Sequence, residues 1–149
     1  MATGTPKIYT PKLDALLSSD DWESNTHYAH LFTSYTFGAS HAAYSEMGPP
    51  TEVVNGDYSQ DGLLVGGEAI TTDGTKVYLA SSALDWGDPV TITAKYLVVF
   101  EKATGSLAAG DKPVFYLSLD DSEADVSSTS GAFKVSQHLD GGWLYFEQA

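Results

Sequence analysis

The run Val90-Thr91-Ile92-Thr93-Ala94-Lys95-Tyr96-Leu97-Val98-Val99-Phe100-Glu101 constrains the fold more than any other part of the chain. Side chains alternate between the two faces of a strand, so Val90, Ile92, Ala94, Tyr96, Val98 and Phe100 are expected on one face. The other face begins with Thr91, Thr93 and Lys95 and turns apolar at Leu97 and Val99. A strand of this kind starts half exposed and ends buried on both faces. That places it in the middle of a sheet, and a sheet buried on both sides needs further layers around it.

Other short runs fit the same scheme. Tyr28 to Ser34, Gly62 to Val65, Ala69 to Thr72, Lys76 to Ala80, Val114 to Leu119, Ala132 to Gln137 and Trp143 to Phe146 read as strands. In the Val114 run, Phe115, Leu117 and Leu119 should share a face. Asp73-Gly74 lies between two β-like runs and signals a hairpin, because both residue types tolerate positive φ. Residues 102–112 and the acidic, serine-rich stretch 120–130 read as loops. Many short strands separated by glycine turns predict an all-β fold, a single antiparallel β-sandwich or jelly-roll-like barrel. The 149 residues suit one domain, assigned to 12–149, and no internal repeat is present.

The N-terminal part differs. Residues 1–11 hold two prolines and read as an extended arm, with Ile8 and Tyr9 as apolar anchors. Pro11 suits a first helical turn, and Leu13, Leu16 and Leu17 fall at helical spacing, so a short helix is expected up to Ser19. Met1 to Pro6 has neither the charged nor the apolar region of a secretory signal. The apolar run Tyr96 to Phe100 is too short to cross a bilayer.

Seven lysines, no arginine and 20 acidic residues give a net charge of −13. Affinity for nucleic acid comes largely from neutralising phosphates, and arginine is the usual bidentate phosphate ligand. Neither nucleic acid nor an anionic membrane is an expected partner. The chain has no cysteine, which removes disulfides, thiolate metal sites and a cysteine nucleophile.

Chemistry-bearing patterns are scarce. Gly-x-Ser-x-Gly, the P-loop and Gly-x-Gly-x-x-Gly are absent. His27 and His30 are three apart, a metal-ligand spacing on a helix but opposite faces on the strand expected here; the histidines are read as surface groups. Asp120, Asp121, Glu123 and Asp125 could offer oxygen ligands to a cation, although the loop lacks the glycine and terminal glutamate of an EF-hand. Trp22, Trp86 and Trp143 could stack on sugars but are read as packing residues, with Trp86 at an end of the fold. No catalytic residue, resident metal or cofactor is expected, and the chain is read as a non-enzyme.

Four segments, in order, carry a resemblance. They are Thr33-Ser34-Tyr35-Thr36 after an apolar strand, Glu52-Val53-Val54-Asn55-Gly56-Asp57-Tyr58, Leu84-Asp85-Trp86 followed by Thr91 to Val99, and Val126-Ser127-Ser128-Thr129-Ser130-Gly131-Ala132-Phe133. Together they resemble small virion structural proteins of tailed bacteriophages, over about residues 28–146. Residues 35–51 and the part before Tyr28 depart from that pattern. The resemblance implies a capsid decoration or cement protein. Such a protein is made in the bacterial host cytoplasm, binds the major capsid protein on the virion surface, and associates with itself as a homotrimer. The arm, through Ile8 and Tyr9, is then the expected capsid contact. Tail, neck or fibre location, or glycan binding on the virion surface, are the alternatives.

Overall fold

The computed structural model describes residues 4–12, 22–103, 105–137 and 141–147. Its strands in chain order are β1 (Lys7–Ile8), β2 (His27–Ser34), β3 (Thr51–Glu52), β4 (Leu63–Leu64), β5 (Ala69–Asp73), β6 (Lys76–Ala80) and β7 (Leu84–Asp85). They continue with β8 (Val90–Ala94), β9 (Tyr96–Glu101), β10 (Lys112–Ser118), β11 (Val126–Gly131), β12 (Lys134–Val135) and β13 (Leu144–Glu147). One short 3-10 turn spans Tyr44–Glu46. The fold is all-β, and among the described residues the strand pairs are antiparallel.

The largest sheet has six strands in the order β1-β10-β9-β2-β3, with β4 also pairing β2. The remaining strands pair as β11-β8, β12-β7 and β13-β6-β5. The six-stranded sheet is apolar on both faces. One face supplies Ala29, Leu31, Leu97, Val99, Phe115 and Leu117 to the main core, where Leu79, Leu84, Ile92, Val135 and Trp143 from the smaller sheets meet them. The other face carries Phe32, Tyr96, Val98, Phe100 and Tyr116, covered by Tyr9, Tyr35 and Met47. The expectation for the end of the Val90 run is met: β9 lies between β10 and β2, and Leu97, Val98, Val99 and Phe100 have no exposed surface.

The run is not one strand, however. It bends at Lys95, and its two halves belong to different sheets. Ile92 and Ala94 point into the main core, but so do Leu97 and Val99, whereas Tyr96, Val98 and Phe100 enter the second cluster. The alternation slips by one residue at Lys95. The Lys95 N–H donates to the Phe32 carbonyl at 2.9 Å, and its carbonyl accepts from Leu119 N–H at 2.9 Å, so the bend leaves no backbone group unpaired. A second irregularity lies in β10, where the register steps from Pro113↔Phe100 to Phe115↔Val99. Val114 is the extra residue, and both Val114 and Phe115 reach the main core.

Two further expectations are corrected. The hairpin loop is Gly74-Thr75, with Asp73 paired to Lys76; Gly74, at φ +59°, takes the first turn position that favours glycine. The stretch read as a loop up to Ser130 contains β11, which lacks apolar alternation and is held by pairing to β8 and by a Thr93–Ser127 hydroxyl bond of 2.8 Å. Residues 10–12 are helical; the rest of the expected helix, 13–19, lies outside the described residues.

Leu97 sits in the central strand with no exposed surface. Replacing it with alanine should cost about 3 kcal/mol, from lost transfer energy and the cavity left behind. Urea denaturation measures this, and a loss below about 1 kcal/mol would contradict the placement.

Candidate functional site

The N-terminal segment is part of the sheet. Lys7 and Ile8 pair with Tyr116 and Phe115, Gly4 N–H donates to the Ser118 carbonyl at 2.8 Å, and Tyr9 N–H donates to the Val114 carbonyl at 3.2 Å. Tyr9 does not project from the fold. Its ring is fully buried, its hydroxyl lies 2.9 Å from that of Tyr35, and the Tyr35 hydroxyl lies 3.1 Å from His41 Nδ1. Burial pushes the Tyr9 phenol well above the usual tyrosine range and raises that of Tyr35. While β1 stays paired, Tyr9 serves its own chain, and only the half-buried Ile8 of the two expected anchors presents any surface.

The acidic loop closes on itself. One Asp120 carboxylate oxygen accepts from Ser122 N–H at 2.8 Å, from the Ser122 hydroxyl, and from Ala124 N–H at 3.4 Å. These bonds hold its carboxyl below the ordinary range. Glu123 turns away and accepts from the Tyr96 hydroxyl at 3.3 Å. Asp121 and Asp125 are exposed, and among the described residues no three potential ligands converge on a point.

The tryptophans are used internally. Trp22 Nε1 donates to the Ala80 carbonyl and Trp143 Nε1 to Ser81 Oγ, each at 2.8 Å, and both rings are buried. Trp86 is half-buried, edge-on to Phe133 at 5.8 Å, and its Nε1 has no partner.

The densest chemistry lies where the sequence suggested surface groups. His27 and His30 are both fully buried. They take opposite faces of β2, as their spacing on a strand requires. His30 Nδ1 lies 2.7 Å from Glu52 Oε1, and Lys102 Nζ approaches His30 Nε2 at 3.5 Å. An ammonium can only donate, so Nε2 accepts and the proton sits on Nδ1, donated to Glu52. Lys102 is buried too. It donates to the Gly105 carbonyl, pairs with Asp111 at 3.5 Å, and lies over the Tyr28 ring. The Tyr58 hydroxyl donates to Glu52 Oε1 at 2.7 Å and accepts from Leu31 N–H at 3.1 Å.

A carboxylate, an imidazole and an amine in series have the form of a proton relay. Its imidazole and amine are buried, and its carboxylate is nearly so. The side chains of His30 and Lys102 are at most 1% exposed, and Gly62 lies so close over the imidazole that a Cβ there would fall 2.4 Å from Nε2. The cluster instead ties β2, β3, the end of β9 and the loops at 58–62 and 105–111 together. One open depression of about 330 Å³, beside residues 24–26 and 101–103, borders the cluster at Lys102, and another of about 190 Å³ lies beside 34–36 and 47–50. Neither is lined by a histidine or by two carboxylates.

Glu52 to Tyr58 has a second task. Asn55 Oδ1 accepts from Thr93 N–H at 3.1 Å, and its Nδ2 donates to the Thr93 carbonyl at 3.3 Å. Asp57 repeats this two residues along: its carboxylate accepts from Thr91 N–H at 2.7 Å, and its own N–H donates to the Thr91 carbonyl at 3.0 Å. Side chains and one backbone amide thus stand in for a neighbouring strand along β8. The approach requires Gly56, which adopts φ +60° and would place a Cβ 1.8 Å from the Thr91 carbonyl oxygen.

No protein family, no curated protein and no solved structure matches this chain.

Gly56→Ala should cost at least about 2 kcal/mol, because it combines a strained φ with a backbone clash. Denaturant titration checks this, and an unchanged midpoint would refute the edge-capping role. His27 gives a pH prediction. Its ring packs 4.4 Å from Trp22, Nδ1 is 3.4 Å from Glu68, Nε2 has no partner, and burial first and the Lys12 charge second lower its pKa. The folded state therefore binds a proton less readily than the unfolded state, and stability falls as pH drops below about 6.5. Calorimetry should show His27→Gln losing less melting temperature than the wild type between about pH 7 and pH 5.5. Equal losses would remove His27 as the cause.

Proposed function

We propose that this protein is a structural component of a tailed-phage virion, a cement protein that binds the outside of the major capsid protein shell and stabilises it. The observation that carries this reading is how the fold uses the segments resembling virion proteins. Glu52 to Tyr58 caps β8 and holds His30. Leu84 to Trp86 pairs with Phe133 to Val135, and Val126 to Gly131 pairs with β8. Thr91 to Val99 turns the corner between two sheets. Each of these segments closes an edge or an interior, whereas Thr33 to Thr36 borders the open depression beside 47–50, which holds no histidine or carboxylate. A domain that spends its polar side chains on its own rigidity suits a passive clamp on a larger surface.

The acidic exterior fits the same role. A chain at −13 repels its own kind in solution and stays soluble until a complementary surface is offered. Purified particles should contain the protein in numbers on the order of hundreds, the count that a repeated shell lattice implies. Quantitative mass spectrometry of virions measures this. A handful of copies would move the protein to the tail or neck. Adding the protein to shells that lack it should raise their disruption temperature, and no shift would overturn the cement role.

A further inference from the structure

Asn55-Gly56 is the one place in the chain where an asparagine precedes a glycine. Asparagine is a thermally labile residue, and a following glycine sets no Cβ in the way of its own amide nitrogen. The reaction open to this pair is ring closure. The Gly56 nitrogen bonds to Asn55 Cγ and gives up its proton, the Cγ–Nδ2 bond breaks, and ammonia leaves. Water then opens the resulting succinimide on either side, giving aspartate or isoaspartate at position 55. No oxidant, metal or enzyme is required. Asn55 and Gly56 are both exposed, so water and base reach them. Asn25, the other asparagine, precedes the β-branched Thr26, whose crowding hinders the same attack.

The fold both restrains this reaction and is damaged by it. Thr93 holds the Asn55 carboxamide at both ends, Oδ1 through its N–H at 3.1 Å and Nδ2 through its carbonyl at 3.3 Å. Closing the ring turns the carboxamide back onto its own main chain and takes it off Thr93. The main chain is pinned as well. Gly56 lies so near β8 that a Cβ would fall 1.8 Å from the Thr91 carbonyl oxygen, and the Asp57 carboxylate accepts from Thr91 N–H at 2.7 Å. Neither product fits back. A carboxylate only accepts, so at position 55 it sets an oxygen against the Thr93 carbonyl where Nδ2 had donated. Isoaspartate adds a carbon to the main chain immediately before Gly56, where β8 leaves no room.

We propose that Asn55 is a site of spontaneous deamidation, that its hydrogen bonds to Thr93 restrain the reaction while the chain is folded, and that conversion uncaps β8 irreversibly. The folded chain reacts only through local opening of residues 52–58, so the edge cap sets the rate. Once converted, a molecule keeps the pairing of β8 with β11 but cannot rebuild the Asn55–Thr93 pair on the other edge. This inference goes beyond the virion reading and holds whether or not the protein binds shells.

Ageing the full chain at mildly alkaline pH, folded in buffer and unfolded in guanidinium chloride, tests it, with peptide mapping by mass spectrometry to locate the amide-to-acid mass gain. Conversion should appear at Asn55 well before Asn25. It should run at least about tenfold slower in the folded chain, since two hydrogen bonds must first be given up. Asp57→Ala removes the neighbouring part of the cap and should speed conversion of the folded chain several-fold while leaving the rate in guanidinium unchanged. Asn55→Asp, which carries the unrearranged product, should melt at a lower temperature than the wild type. Equal wild-type rates in buffer and guanidinium overturn the restraint, a comparison that depends on no variant folding. Conversion no faster at Asn55 than at Asn25 in guanidinium overturns the site, and an unchanged melting temperature in Asn55→Asp overturns the uncapping.

Discussion

A strand buried on both faces can satisfy its backbone only within the plane of its own sheet, and β2 lives under that constraint. One edge is complete, paired with β9 from His27 to Phe32. The other is served by two fragments, β4 near its start and β3 near its end. Between them the N–H of Leu31 would be left in a dry interior, at a cost of about 1–3 kcal/mol. The Tyr58 hydroxyl fills that gap, and Glu52 orients the hydroxyl. His30 and Lys102 follow from this one requirement. Glu52 is a nearly buried carboxylate, and the imidazole beside it is in turn held by the ammonium. What resembles a relay is the solution to a missing hydrogen bond.

The same economy explains how a chain with so many acids folds. Few carboxylates enter the interior, and those that do meet Lys12, Lys102 or a histidine. Lys12 meets Glu101 at 2.5 Å with both side chains largely buried. Two of the seven lysines are thus withdrawn from the surface, each with a carboxylate that offsets its charge. Truncating one partner of such a pair exposes the other to a dry environment and is far more damaging than losing a surface bridge.

The sequence made the all-β class legible because alternation and turn glycines are local signals. The Phe115, Leu117 and Leu119 face and the double burial of β9 follow from the same periodicity. The bend at Lys95 does not, since no residue type marks it; only the pairing of Lys95 with Phe32 and Leu119 creates it. β11 was hidden because Val-Ser-Ser-Thr-Ser-Gly has no apolar face, and its order comes from β8. The histidine cluster was hidden for a different reason. His30, Glu52, Tyr58 and Lys102 are separated by 22, 6 and 44 positions, and nothing local joins them. The one available signal was a histidine in an otherwise apolar strand, which asks for a buried partner.

Lys95 itself is half-exposed, and the fold uses its backbone rather than its ammonium. What it contributes is a count. The residue adds one position between two alternating series, so that Ile92 and Ala94 share a core with Leu97 and Val99. The bend depends on segment length and not on the Lys95 side chain. Removing a residue here would turn the following strand over and exchange its aliphatic and aromatic faces. The corner therefore behaves like a reading frame, tolerant of spelling and intolerant of omission.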